Sequence, residues 1–116
     1  MSASARPVDL AHLARYTGGD AALDAEVLQL FIDQSAILLR DLQAVLETRD
    51  TKSWKYITHS LKGAARGIGA FALADVAAEA EPIDPAVQAE AAAAAVSALQ
   101  AKAEGVQLFV RDYLGH

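Results

Sequence analysis

His59 lies in the stretch Thr51-Lys52-Ser53-Trp54-Lys55-Tyr56-Ile57-Thr58-His59-Ser60-Leu61-Lys62-Gly63-Ala64-Ala65-Arg66-Gly67-Ile68. Trp54, Ile57, Leu61, Ala64 and Ile68 recur at intervals of three and four residues, which predicts an amphipathic helix. At about 100° per residue, with His59 set at zero, those five fall between about 140° and 220°. The imidazole is therefore expected to point away from the core. On the same projection Lys52, Lys55, Lys62 and Arg66 lie within about 60° of His59, Gly63 at about 40° and Tyr56 at about 60°. A chain of net charge −5 thus places four of its ten Lys and Arg residues around one exposed ring.

This arrangement suits a histidine that accepts and holds a phosphoryl group. A neutral imidazole nitrogen is a competent nucleophile near pH 7, and neighbouring cations favour the neutral ring. Once attached, the dianionic group gains from Lys62, one helical turn along, with Lys55 and Arg66 adding local positive potential. Gly63 costs roughly 1 kcal/mol of helix propensity relative to Ala, so its mid-helix position asks for a reason. Leaving space for a partner's active-site loop to reach the ring is one. The plainer reading of the same residues is a solvated charged helix face with an ordinary surface histidine.

The elements that must position this helix are also helices. The chain has 116 residues, enough for one core, and is rich in Ala and Leu with few β-branched or aromatic residues. Asp9 is expected to cap a short helix through Tyr16, ended by Thr17-Gly18-Gly19, and Asp20 to cap the next. The second segment, Ala21 to about Thr48, carries Leu23, Val27, Phe31, Leu38, Leu42 and Val45, widened by Leu28, Ile32, Leu39 and Leu46. So broad an apolar face needs more than one partner helix. Asp50 is expected to cap the helix of His59, and Gly67 and Gly69 to punctuate its end. A short helix from Ala70 to about Ala80 should bury Leu73, Val76, Ala77 and Ala80. Pro82 and Pro85 bracket a turn, and a last helix from about Ala86 to Tyr113 presents Val96, Leu99, Ala103, Val106, Val110 and Tyr113. The pattern predicts an all-α fold, an antiparallel four-helix bundle with a short extra N-terminal helix, in a single domain spanning residues 1–116 with 1–7 flexible.

His59-Ser60-Leu61-Lys62-Gly63-Ala64-Ala65, followed by Gly69-Ala70, Leu73 and Glu81, resembles the signature of histidine-containing phosphotransfer (Hpt) domains, HxLKGxx with a downstream GAxxL. Gly18-Gly19-Asp20, Phe31 and Asp50 also sit where that family often carries such residues, so the resemblance covers nearly the whole chain from Asp9. It implies a phosphoacceptor histidine at His59, a phosphate-supporting lysine at Lys62 and a small access-permitting residue at Gly63. It further implies a phosphocarrier with no kinase or ATPase activity of its own, working between aspartates of response-regulator receiver domains and a hybrid sensor kinase in a two-component phosphorelay. Such a chain needs no cofactor, because the receiver brings the Mg²⁺. Ala64-Ala65 depart from the family, which often has Ser or another small polar residue there. Tyr56 and Phe71 are assigned to a docking surface from their helical angles.

Other chemistry finds little support. The absence of Cys excludes disulfides and thiolate metal sites and fits a reducing compartment, and no apolar run reaches the length of a signal peptide core or a membrane span, so a cytoplasmic location and no membrane contact are expected. The acidic balance argues against nucleic acid. Gly67-Ile68-Gly69 with Ala72 mimics a dinucleotide fingerprint but follows a helix rather than a strand. Gly63 and Gly67 form a GxxxG pair, but Lys62 and Arg66 rule out a lipid-facing helix. His12 and His116 lack a second ligand at i+3 or i+4, so no metal site is expected; His12 is read as a surface residue and His116 as a frayed terminus. Two competing readings remain. One is the phosphoacceptor helix pair of a sensor kinase, although the Gly-rich and Asn-bearing ATP-site motifs that normally follow it do not occur in these residues. The other is a pure interaction module whose basic patch binds an acidic partner. A monomer is the default expectation.

Overall fold

The computed structural model describes residues 6–115, and all five regular elements found there are helices: α1 (Leu10–Thr17), α2 (Ala21–Thr48), α3 (Thr51–Ile68), α4 (Phe71–Ala80) and α5 (Ala89–Leu114). Residues 1–5 of the stretch expected to be flexible, and His116, lie outside the described residues. Each of the first three helices starts at an aspartate. Asp9 accepts from the His12 amide, Asp20 from those of Ala22 and Leu23, and Asp50 from those of Lys52 and Ser53, satisfying N–H groups that have no partner within the helix. α1 and α3 end on Gly18 and Gly69 in the left-handed conformation, whereas α2 ends on Arg49 at φ 60°.

α2, α3, α4 and α5 pack in a ring, each against the next and α5 back against α2, while α1 lies across α2 and α3. The apolar faces meet in one core, where Leu28 and Leu42 of α2, Trp54 and Leu61 of α3, Leu73 of α4 and Leu99 of α5 are fully buried. α1 is tied to α2 by Thr17, whose hydroxyl donates to the buried Asp24 carboxylate at 2.5 Å. It is tied to the end of α3 by the Asp9 amide, which donates to the Gly69 carbonyl at 2.9 Å.

Several boundaries and faces differ from the sequence expectation. α5 begins at Ala89, not Ala86, because Asp84 organises a turn. Its side chain accepts from the Ala86 amide and its carbonyl from those of Val87 and Gln88, and the Gln88 side chain accepts from the Asp84 amide. In α3, Ala65 and Thr58 are buried while Ala64 is half-buried: the helix is held between two neighbours, and its buried arc is turned toward α4. In α4, Ala74 takes the core position expected for the half-buried Val76. Leu23 and Tyr113, at the ends of their helices, extend past the core and are 39% and 38% exposed. His12 is half-buried, because its ring meets Tyr16 and Phe71 edge-on at 5.3 and 5.0 Å.

Candidate functional site around His59

α3 presents two faces, and the site lies on the outer one. The inner face carries Trp54, Ile57, Thr58, Leu61, Ala65 and Ile68 into the core. Thr58, a poor residue for a helix interior unless its hydroxyl is satisfied, donates back to the Trp54 carbonyl at 2.9 Å. His59 follows directly and faces the other way, with its side chain 70% exposed.

The third member of the site comes from 22 residues downstream. Three contacts hold the α4–α5 connection against α3. The buried Trp54 indole N–H donates to the Ala80 carbonyl at 2.9 Å, the Thr51 hydroxyl donates to Asp84 at 2.8 Å, and the Lys62 ammonium donates to Glu81 Oε1 at 2.6 Å. Glu81 continues the last turn of α4, its amide donating to the Ala77 carbonyl. Its second oxygen, Oε2, lies 3.2 Å from His59 Nδ1. The bond to Lys62 is the main reason the Glu81 carboxyl titrates below its ordinary range; burial opposes this, and the contact with His59 adds a smaller lowering.

The chemistry follows from that bridge. An ionised carboxylate can only accept hydrogen bonds, so the contact with His59 calls for a proton on Nδ1. A neutral ring then has its lone pair on Nε2, on a side chain open to solvent. Lys62 sits one turn further along the helix, 20% exposed and already paired.

The other residues singled out in the sequence are distributed unevenly. A Cβ on Gly63 would meet nothing within 4 Å, so the packing of this chain does not demand the glycine. Lys55 and Arg66 are exposed and make no salt bridge among the described residues. Tyr56 is 71% exposed and lines a shallow groove with Ile37 and Leu38 of α2 and Ser60 and Ala64 of α3. Phe71 is not gathered with them. It packs on His12 beyond the C-terminal end of α3, and that end, Ile68, is roughly 14 Å along the helix axis from His59. Among the described residues no three His, Asp or Glu side chains are placed to hold a metal ion, and no helix is long and apolar enough to cross a membrane.

The sequence model of one protein family, described as the Hpt domain, matches residues 26–109. The chain belongs to the Hpt-domain family. It is therefore a histidine phosphotransfer protein of two-component phosphorelays, and the bundle is the fold of that family. The crystal structure of histidine-containing phosphotransfer protein B from Pseudomonas aeruginosa PAO1 superposes with a TM-score of 0.84 at 23% sequence identity, covering 97% of this chain and 98% of that one. At that identity the likeness is one of fold. No curated protein sequence matches the chain.

Within this Hpt domain the matched region contains His59, Lys62, Gly63 and Glu81, whereas α1 and Asp9, whose amide clasps Gly69, precede it. Glu81 is the site residue to which sequence reasoning gave no role. No helical spacing links it to His59, and the only signal was its place after Gly69-Ala70 and Leu73 in the family signature.

Proposed function

We propose that His59 is the phosphoacceptor of this domain, taking a phosphoryl group from the aspartate of one receiver domain and giving it to the aspartate of another. The observation that carries the reading is a 70% exposed imidazole on the outer face of a helix whose inner face is locked in the core, with a lysine one turn away. Transfer of this kind is largely positioning and charge stabilisation, which a rigid helix supplies.

In the accepting step the Nε2 lone pair forms the P–N bond as the P–O bond of the receiver's acyl phosphate breaks, and the aspartate leaves with that electron pair. Nδ1 keeps its proton, so the phosphorylated ring is at first cationic. Donation is the same step in reverse with a second receiver. Lys62 has three N–H donors, one of which Glu81 takes, leaving others for the phosphoryl oxygens. Lys55 and Arg66 add positive potential, and Gly63 leaves the approach clear. Tyr56 belongs to the docking surface by its position beside His59. Phe71, at the other end of α3, contributes only to an extended one.

On this reading the chain is a carrier without kinase or ATPase activity, fed by a hybrid sensor kinase. It works as one cytoplasmic, monomeric domain without cofactor, membrane or nucleic acid. Mg²⁺ belongs to the receiver. The test is phosphate incorporation from an acetyl-phosphate-charged receiver. Acid-labile, base-stable label should appear on the wild type and be absent from His59→Gln, with helical circular dichroism unchanged. No label with several competent receivers would leave the interaction-module reading in its place.

A further inference from the structure

Four helices of the bundle end on a residue in the left-handed conformation, and three of those residues are glycine: Gly18, Gly69 and Gly115. The fourth is Arg49, at φ 60° and ψ 28°, the one non-glycine residue with positive φ among the described residues. A Cβ is strained there, which is why glycine dominates at this position of a helix end. The backbone of Arg49 is held, its amide donating to the Val45 carbonyl at 2.7 Å. Its side chain adds no contact that offsets the strain: it is exposed and makes no salt bridge among the described residues. Strain of this kind persists where another requirement outweighs it. We infer that Arg49 is a specificity-determining residue that draws in an acidic side chain of the receiver at the edge of the surface docked around His59. This rests on His59 being the phosphoacceptor.

The position suits that role. Arg49 stands ten residues before His59, beside the Asp50 that caps α3, so the two are roughly 15 Å apart along the helix axis. A partner patch of standard size covers about 800 Å², a disc of roughly 16 Å radius, so a receiver centred on His59 reaches the α2–α3 turn with its rim. The surface between is continuous. A shallow cleft along the seam of α2 and α3 is lined by Leu38, Thr48, Asp50, Lys52 and Tyr56, and Leu38 and Tyr56 also line the groove beside Ser60. Charges at a rim act chiefly on encounter rate and partner choice, because water screens them too strongly to add much affinity.

The neighbouring charges fix the sign of the partner group. Lys52 and Lys55 follow Arg49 on α3, and neither makes a salt bridge among the described residues. Asp50 is engaged by the Lys52 and Ser53 amides and the Ser53 hydroxyl. The C-terminal half of α2 adds two acids, Asp41 on the opposite wall of the cleft and the exposed Glu47, and one more cation, the exposed Arg40. At the turn itself, Arg49, Lys52 and Lys55 repel a cationic group and attract an anionic one. The plainer role for Arg49 is to complement the dipole of α2, whose last turn carries no basic residue. On that role glycine would weaken the helix end and leave docking untouched.

The test uses the full chain and a panel of receiver domains charged with acetyl phosphate. Arg49→Gly should melt at or above the wild-type temperature in circular dichroism, because the strain is relieved. Its KM for the receiver that serves the wild type best should rise about three- to fivefold at unchanged kcat. Arg49→Glu should raise KM about tenfold and Arg49→Lys should stay within about twofold of the wild type. These differences should shrink as salt rises from about 0.05 M to about 0.5 M. Replacing surface acids of that receiver by Lys, one at a time, should find one change that restores exchange with Arg49→Glu and weakens it with the wild type. Labelling of His59 by potassium phosphoramidate should run at the wild-type rate in every variant, which separates docking from the reactivity of the ring. A lower melting temperature for Arg49→Gly with KM unchanged would assign the arginine to the end of α2 and overturn the proposal, as would a KM indifferent to charge reversal. A wild type labelled by phosphoramidate but by no receiver would sink the relay reading itself, and the docking role with it.

Discussion

The two faces of α3 differ in what fixes their residues. On the inner face every side chain answers to neighbours in this chain: Trp54 fills the core and holds the Ala80 carbonyl, and Leu61 and Ala65 are fully buried. On the outer face the neighbours are sparse. Gly63 has open space where a side chain would go, Tyr56 stands in solvent, and Lys55 and Arg66 make no salt bridge among the described residues. Identities on the inner face are explained by folding. On the outer face nothing in the chain itself dictates them, which leaves room for the proposed receiver to do so, and Gly63 and Gly69 show the contrast within one helix. Gly69 is demanded by the chain itself, since it adopts φ 83° and a Cβ there would lie 2.7 Å from the Asp9 carbonyl oxygen.

This contrast can be broken, most forcefully from the inside. Trp54→Ala should lose about 3–5 kcal/mol of stability in denaturant unfolding, combining a large cavity with the loss of the indole hydrogen bond to the Ala80 carbonyl, whereas His59→Gln should stay within about 0.5 kcal/mol of the wild type. Equal losses from the two would erase the distinction between the faces. Gly69→Ala comes next, at about 1–3 kcal/mol, from left-handed strain and the clash with Asp9. A neutral result there would mean that α1 is free to move aside. Gly63→Leu should leave stability unchanged or raise it by up to about 1 kcal/mol through helix propensity, yet slow phosphoryl exchange with a receiver in stopped-flow or gel assays. Undiminished rates would remove access as the reason for that glycine. The smallest effect is electrostatic. Asp50 and Glu81 both titrate below their ordinary values, Asp50 mainly through Ser53 and Glu81 mainly through Lys62. Their contributions are present above the unfolded-state values near 3.8 and 4.5 and are lost as pH falls through the lower folded-state values. Thermal midpoints should therefore hold level above about pH 5 and decline in more acid solution. Asp50→Asn, which keeps a capping oxygen, should shallow that decline.

What the sequence made legible follows the same division. Helical spacing and three capping aspartates located α1, α2 and α3 closely, because those signals are local. The exposure of His59 came from the angular arithmetic, and Lys62 and Gly63 from their distance of about one turn. The start of α5 was misplaced because Asp84 binds across to Thr51 on α3, a contact no window along the chain contains. The choice of Ala65 over Ala64 depended on which two helices flank α3. Glu81 acquires its role only when α4 has turned back on α3. Residues that act alone or through neighbours in sequence could be read; a residue that acts through the packing of two helices could not.

The indole of Trp54 is the chain's only tryptophan. It is fully buried and hydrogen-bonded one residue before Glu81, so its emission is a built-in optical gauge of the strap that carries the carboxylate. Any event at the imidazole that loosens or tightens that strap will change the wavelength or yield of a single fluorophore. On the proposed reading, a phosphorylation or receiver-docking event that moves the strap would be read in real time on the unlabelled protein.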